Sequence, residues 1–182
     1  MHGTILEKFH PVVRSWFTRT FGAPSPPQSL GWPSISDGKN TLIVAPTGSG
    51  KTLAAFLWCI NHLVEENISR PPKEQSDVLH HRRGPRRQRN AANGIRILYV
   101  SPLKALNNDI HRNLEVPLSG ILEDAHAAGI PMEEIRSAVR TGDTTQTERA
   151  RMLKYPPDIL ITTPESLFLM LSSEKSRMLF HS

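Results

Sequence analysis

The sequence predicts an α/β fold: a parallel β-sheet covered by helices on both faces. Three observations carry that expectation. Short apolar runs alternate with stretches of helical periodicity, the pattern of successive βαβ units. The runs are continuously apolar, as strands buried on both faces are. The first of them, Thr41-Leu42-Ile43-Val44, leads into Ala45-Pro46-Thr47-Gly48-Ser49-Gly50-Lys51-Thr52 and then into a helical pattern. Strand, glycine-rich turn and helix is the context of a phosphate-binding loop.

Taken in order, residues 5–21 read as a helix, with Ile5, Phe9, Val12, Val13, Trp16, Phe17 and Phe21 at helical spacing. A proline-rich stretch follows (Pro24, Pro26, Pro27, Pro33), and Asp37-Gly38-Lys39-Asn40 is a turn signal before the loop-bearing strand. After the loop, Leu53, Phe56, Leu57, Ile60, Leu63 and Val64 fall on one helix face. Residues 67–94 are poor in apolar side chains and rich in proline, histidine and arginine, which predicts a mobile basic surface insertion. Arg96-Ile97-Leu98-Tyr99-Val100 is a strand, and Ser101-Pro102 is expected to open a helix with a capping hydroxyl and an N1 proline. A further helix is expected over residues 118–128 and a weak strand over residues 135–139. Thr145-Gln146-Thr147-Glu148 is a capping box opening a short helix. Asp158-Ile159-Leu160-Ile161-Thr162 is a strand, and Thr163-Pro164 opens the next helix. Ligands of such sheets bind beyond the carboxyl ends of the strands. The glycine-rich loop, Ser101-Pro102 and Thr163-Pro164 are all expected at that edge.

The loop carries the chemistry. Gly48 and Gly50 let the backbone curl so that successive N–H groups converge, and the following helix dipole adds to the field. Lys51 can reach the β- and γ-phosphates, and the Thr52 hydroxyl can hold Mg²⁺. Ala45 stands where the common pattern has glycine. The pattern implies binding of a nucleoside triphosphate with Mg²⁺.

Composition narrows the setting. With 182 residues the chain suits one domain that buries about 70% of its unfolded surface. No apolar run approaches the roughly 18 residues of a membrane span, the first residues lack a signal-peptide core, and the single cysteine, Cys59, has no intrachain partner. These features point to the cytoplasm. The formal net charge of +5 resides in one place: without Arg82, Arg83, Arg86, Arg87 and Arg89 it is zero. That cluster is either a second nucleic-acid patch or a solvated loop, and it lacks interleaved aromatics for base stacking. His80 and His81 have no partners at metal-ligand spacing.

Five ordered segments carry a resemblance: residues 21–28 (FGAPSPPQ), 45–52 (APTGSGKT), 99–109 (YVSPLKALNND), 140–149 (RTGDTTQTER) and 158–167 (DILITTPESL). Their order and spacing resemble the first RecA-like domain of superfamily 2 helicases, proteins built on the phosphate-loop NTPase fold. Gly31-Trp32-Pro33 and the SPLKAL, TGDT and TTPESL wordings most resemble the large-helicase-related (Lhr) group of DExH-type ATPases.

The resemblance implies ATP and Mg²⁺ as cofactors, held by Thr47, Gly48, Ser49, Gly50, Lys51 and Thr52. Lys51 and Thr52 would serve catalysis. It implies that Gln28 reads the adenine edge and that Phe21 can stack on the ring, Ser25 keeping a hydroxyl where the family often has threonine. It further implies that Ser101, Pro102, Lys104 and Asn108, then Gly142 and Asp143, then Thr163, Pro164 and Ser166 contact the backbone of one nucleic-acid strand. Such contacts position a strand without reading sequence. The implied partner is single-stranded DNA or RNA, or a duplex with a single-stranded tail. Each of these residues also reads as an ordinary helix cap or turn.

Phosphoryl transfer in this family needs an Asp-Glu pair and an arginine finger. The sequence has no Asp-Glu dipeptide, and Glu123-Asp124 is reversed and helical. The chain is therefore expected to be the N-terminal part of an ATP-dependent helicase, truncated within the first RecA-like domain, whose C-terminal remainder completes the motor. The alternatives are another phosphate-loop NTPase, such as a kinase or transporter ATPase, and a non-catalytic nucleotide- or nucleic-acid-binding module.

Overall fold

A computed structural model describes residues 5–69 and 94–180. Arg82, Arg83, Arg86, Arg87 and Arg89, with His80, His81 and most of the expected 67–94 insertion, lie outside the described residues. The chain forms two compact units, residues 1–70 with 113–134, and residues 71–112 with 135–182. Among the described residues no helix is long and apolar enough to cross a membrane.

The first unit is helical. The helix expected over residues 5–21 is divided: a 3₁₀ turn (Ile5–Lys8) precedes helix α1 (Pro11–Phe21). Pro11 at the first helical position and His10, whose Nδ1 accepts from the Val12 N–H at 3.3 Å, set the start of α1. The proline-rich stretch, for which no helix is expected from the sequence, contains helix α2 (Pro26–Ser36). Ser25 and Gln28 close a capping box there, with prolines in the first turn where no N–H is needed. Helix α3 (Lys51–Ser69) buries Phe56, Leu57, Ile60, Leu63 and Val64, five of the six residues expected on its apolar face. Edge-to-face aromatic contacts join these helices: Phe9 to Trp32 at 4.9 Å, Phe9 to Trp58 at 5.0 Å, and Phe17 to Trp32 at 5.4 Å. The indole N–H of Trp32 donates to the Ala54 carbonyl at 3.0 Å, so the buried ring leaves no polar group unpaired.

The second unit holds a three-stranded parallel sheet of β1 (Ile97–Val100), β2 (Ser137–Arg140) and β3 (Ile159–Thr162), in the order β1-β3-β2. Helix α4 (Lys104–Ala127) follows β1, α5 (Gln146–Lys154) follows β2, and α6 (Pro164–Ser172) with the short α7 (Glu174–Arg177) follows β3. The central strand is buried at all four positions, which is why it reads as a continuous apolar run. Ile95, Leu160, Met170 and Leu179 form one core cluster, and the Ile95 N–H donates to the Leu179 carbonyl at 2.7 Å.

Four expectations need correction. Residues 41–44 form no strand. Leu42 and Val44 are 88% and 85% exposed, and among the described residues no strand pairs with this segment. A strand exists through a neighbour's backbone hydrogen bonds, and apolar composition cannot supply that neighbour. Ser101-Pro102 is not the start of a helix, because α4 begins at Lys104. The two helices expected after β1 are one helix of 24 residues with Pro117 inside it. The weak strand expected over residues 135–139 lies one to two residues later, as β2.

Candidate nucleotide loop and nucleic-acid surface

The phosphate-loop residues lie in the first unit. Gly48 and Gly50 have φ of 77° and 86°, the left-handed region that side-chain-bearing residues avoid, so the turn over residues 47–50 needs both glycines. At Gly50 space is also decisive: a Cβ would lie 2.8 Å from Gln28 Nε2 and 3.0 Å from Ser25 Oγ. Those two side chains hold the loop. Ser25 Oγ donates to the Ser49 carbonyl at 2.9 Å, and Gln28 Nε2 donates to the Gly50 carbonyl at 3.4 Å. Gln28 Oε1 in turn accepts from the Ser25 N–H at 2.9 Å. The residues at the start of α2 thus fasten the turn that opens α3.

Gln28 is 5% exposed. An amide has two N–H donors and two acceptor lone pairs, so these bonds leave one of each. Phe21 is 51% exposed and rests against Trp16 and Phe17, with ring centroids 5.8 Å and 5.3 Å away. Lys51 folds back and donates to the carbonyls of Ala45 and Pro46, spanning the mouth of the turn. Thr47 and Thr52 are exposed, and Ser49 Oγ is enclosed without a partner. The arrangement has the elements an anion site needs: a left-handed turn, a helix start and a lysine within reach. Among the described residues no group of three His, Cys, Asp or Glu could hold a metal ion. The donors suit a Mg²⁺ ion held by one hydroxyl, phosphate oxygens and water.

The strand-facing candidates lie in the second unit, at the carboxyl edge of its sheet. Val100, Thr162 and Arg140 share one row across the three strands. The Ser101 N–H donates to the Thr162 carbonyl at 3.0 Å, and Ser101 Oγ accepts from the Leu103 N–H at 3.4 Å. Pro102 and Asn108 are exposed, and Lys104 is the first residue of α4. Thr163 caps α6, its Oγ1 accepting from the Ser166 N–H at 3.3 Å, with Pro164 in the first turn. Gly142 and Asp143 are exposed in a turn after β2, closed by the Thr144 N–H donating to the Thr141 carbonyl at 3.2 Å.

Sequence reasoning passed over three residues here. Arg149 grips the turn from α5: its Nε donates to the Thr144 carbonyl at 2.9 Å and its Nη2 to the Gly142 carbonyl at 3.1 Å. The capping box that starts α5 was legible and places Arg149 one turn into the helix. Arg140 and Asn107 are 9% and 0% exposed, and no sequence pattern marks a polar residue for burial. Burial first, and the charge of Arg149 second, push the Arg140 guanidinium below its ordinary pKa.

Comparison with known proteins shows the family. A family model described as DEAD/DEAH box helicase matches residues 25–182. The chain is 49% identical over 168 residues to the "Lhr helicase/ probable uracil glycosylase" of Mycolicibacterium smegmatis, covering 92% of this chain and 10% of that protein. It is 48% identical over 171 residues to the "ATP-dependent helicase Lhr-Core" of Methanocaldococcus jannaschii, covering 94% of this chain and 18% of that one. Among solved structures, Mycobacterium smegmatis helicase Lhr bound to ssDNA and AMP-PNP superposes with a TM-score of 0.78 at 46% identity, over 95% of this chain and 19% of that one. The chain therefore spans a fifth or less of the length of these relatives. The resemblance read from the five motifs, and the RecA-like fold it implied, hold. With a glycine loop fastened at a helix start and a family model matching most of its length, the chain belongs to the DEAD/DEAH box helicase family.

Proposed function

We propose that this chain is the ATP- and strand-binding part of an ATP-dependent helicase of Lhr type. The fastened loop carries the reading: Gly48 and Gly50 in left-handed geometry, held by Ser25 and Gln28, at the start of α3. The loop N–H groups, with Thr47 and Ser49, cradle the triphosphate. Lys51 exchanges the carbonyls of Ala45 and Pro46 for phosphate oxygens. Thr52 ligates Mg²⁺, which neutralises charge on the phosphates when bound. Gln28 meets adenine with its remaining N–H and lone pair, and Phe21 lies against the ring.

Ser101, Pro102, Lys104, Asn108, Gly142, Asp143, Thr163, Pro164 and Ser166 follow the backbone of one nucleic-acid strand, single-stranded DNA or RNA or the tail of a duplex. The protein acts in the cytoplasm together with the remainder of the helicase. This segment alone binds nucleotide without useful turnover, because no Asp-Glu pair or arginine finger completes its site.

The test is calorimetric titration of the 182-residue chain with AMP-PNP and Mg²⁺, beside Lys51→Ala. Binding that Lys51→Ala abolishes supports the loop assignment, and equal binding by both removes it. Steady ATP hydrolysis by the unaltered chain, lost in Lys51→Ala, would overturn the statement about turnover.

A further inference from the structure

Arg140 ends β2 at the carboxyl edge of the sheet, where Thr162 Oγ1 of the central strand donates to its carbonyl at 2.6 Å. The side chain is 9% exposed and its Nη1 is enclosed without a hydrogen-bond partner. Among the described residues no carboxylate pairs with it. The charge acting on it has the same sign: Arg149, whose Nη2 donates at 3.4 Å to the carbonyl of Thr141, the next residue in the chain. A guanidinium does not escape by losing its proton. A buried cation without a counter-charge costs free energy, and so marks a place where an anion belongs.

A second unspent group lies at the same edge. Asn107, in the first turn of α4, is 0% exposed, and neither its Nδ2 nor its Oδ1 has a partner. The same edge carries the exposed Gly142-Asp143 turn, with the Asp143 carboxylate, and the buried Ser101 and Thr163, whose hydroxyls accept from the Leu103 and Ser166 N–H groups. The planar fork of N–H groups that Arg140 carries matches phosphate geometry.

We infer that Arg140 neutralises a backbone phosphate of the nucleic-acid strand laid across this edge, a contact added to those of the Gly142-Asp143 turn. The inference rests on the strand-binding role proposed above. The competing occupant is a carboxylate from elsewhere in the helicase.

The experiment measures anisotropy of a labelled oligothymidylate with the unaltered chain, Arg140→Met and Arg140→Lys across a salt series, with denaturant unfolding of each protein alone. Losing one phosphate contact flattens the slope of log affinity against log salt by about 0.7, or about fivefold per decade of salt. Arg140→Met is expected to show that flattening while unfolding at the same or higher denaturant than the unaltered chain, since it removes an unpaired buried charge. Arg140→Lys keeps the charge and the slope but binds more weakly. An unchanged slope in Arg140→Met overturns the inference. So does a marked loss of stability in the absence of nucleic acid, which would assign Arg140 to the packing of this chain itself. If the unaltered chain shows no binding at all, the strand-binding role itself fails, an outcome distinct from binding with an unchanged slope.

Discussion

Gln28 Nε2 donates to the carbonyl of Gly50 at 3.4 Å while Gln28 Oε1 accepts from the Ser25 N–H at 2.9 Å. One side chain therefore caps α2 and fastens the glycine turn that opens α3. The cap of α2 and the shape of the glycine turn are coupled through a single amide.

That coupling predicts how Gln28 variants behave. Gln28→Glu keeps the acceptor facing Ser25 and loses the donor facing Gly50. It also leaves a carboxylate beside a carbonyl. Nucleotide affinity should fall by about 1–3 kcal/mol, the cost of a buried polar group left unsatisfied. Gln28→Ala should also lose discrimination of ATP from GTP. Competition titrations with both nucleotides check this. Equal affinity for ATP and GTP in the unaltered chain would remove the adenine role.

Gly120 sits where α4 meets α1, and a Cβ there would fall 2.2 Å from Trp16 Nε1 and 2.7 Å from Trp16 Cδ1. Alanine is the better helix former by about 1 kcal/mol. Trp16 is 3% exposed and has little room to yield. Overpacking of this kind costs about 1–3 kcal/mol and should win. Gly120→Ala is thus expected to unfold at lower denaturant than the unaltered chain, and a higher midpoint would show that the indole moves freely.

Arg149 holds the carbonyls of Thr144 and Gly142 with separate nitrogens of one planar group. Lysine has the charge but not the fork. In Arg149→Lys the turn should open by roughly 1–1.5 kcal/mol, about a tenfold faster amide exchange at Thr144. Oligonucleotide affinity should fall with it, because the Gly142-Asp143 turn would lose its fixed shape. Unchanged exchange at Thr144 would show that the turn stands by itself.

Hydrogen bonds from the Thr145 hydroxyl first and its backbone N–H second hold the Glu148 carboxyl below its ordinary pKa of 4.5. A lowered folded-state value means that the carboxylate stabilises the folded form. That contribution is complete above about pH 4.5 and is lost as pH falls through the lowered folded value. The Thr145 amide should therefore move in nuclear magnetic resonance spectra at a pH below 4.5. In Glu148→Gln, whose amide oxygen still accepts, that acid transition should vanish.

Local chemistry wrote much of this protein in readable form. The 45–52 loop announces itself because glycines in a left-handed turn before a lysine and a helix have few other uses. Thr145 with Glu148, and Thr163 with Pro164, mark helix starts because the first N–H groups of a helix need a nearby acceptor or a proline. Ser25 and Gln28 carried the same capping-box signal for α2, hidden among prolines that favour a first turn as much as a loop.

Tertiary structure decided the rest, because pairing and burial depend on residues distant in the chain. Thr41-Leu42-Ile43-Val44 and Ile159-Leu160-Ile161-Thr162 are similar in composition. The second is the central strand between two partners, whereas the first pairs with no described strand. Their difference lies in what runs beside them. Gln28 is turned onto the Gly50 carbonyl by the approach of α2 to the loop, 22 residues along the chain. Arg140 looks like any surface arginine in the sequence. It ends β2 in one row with Thr162 and Val100, and a buried unpaired charge is a property of the folded edge that no local pattern encodes.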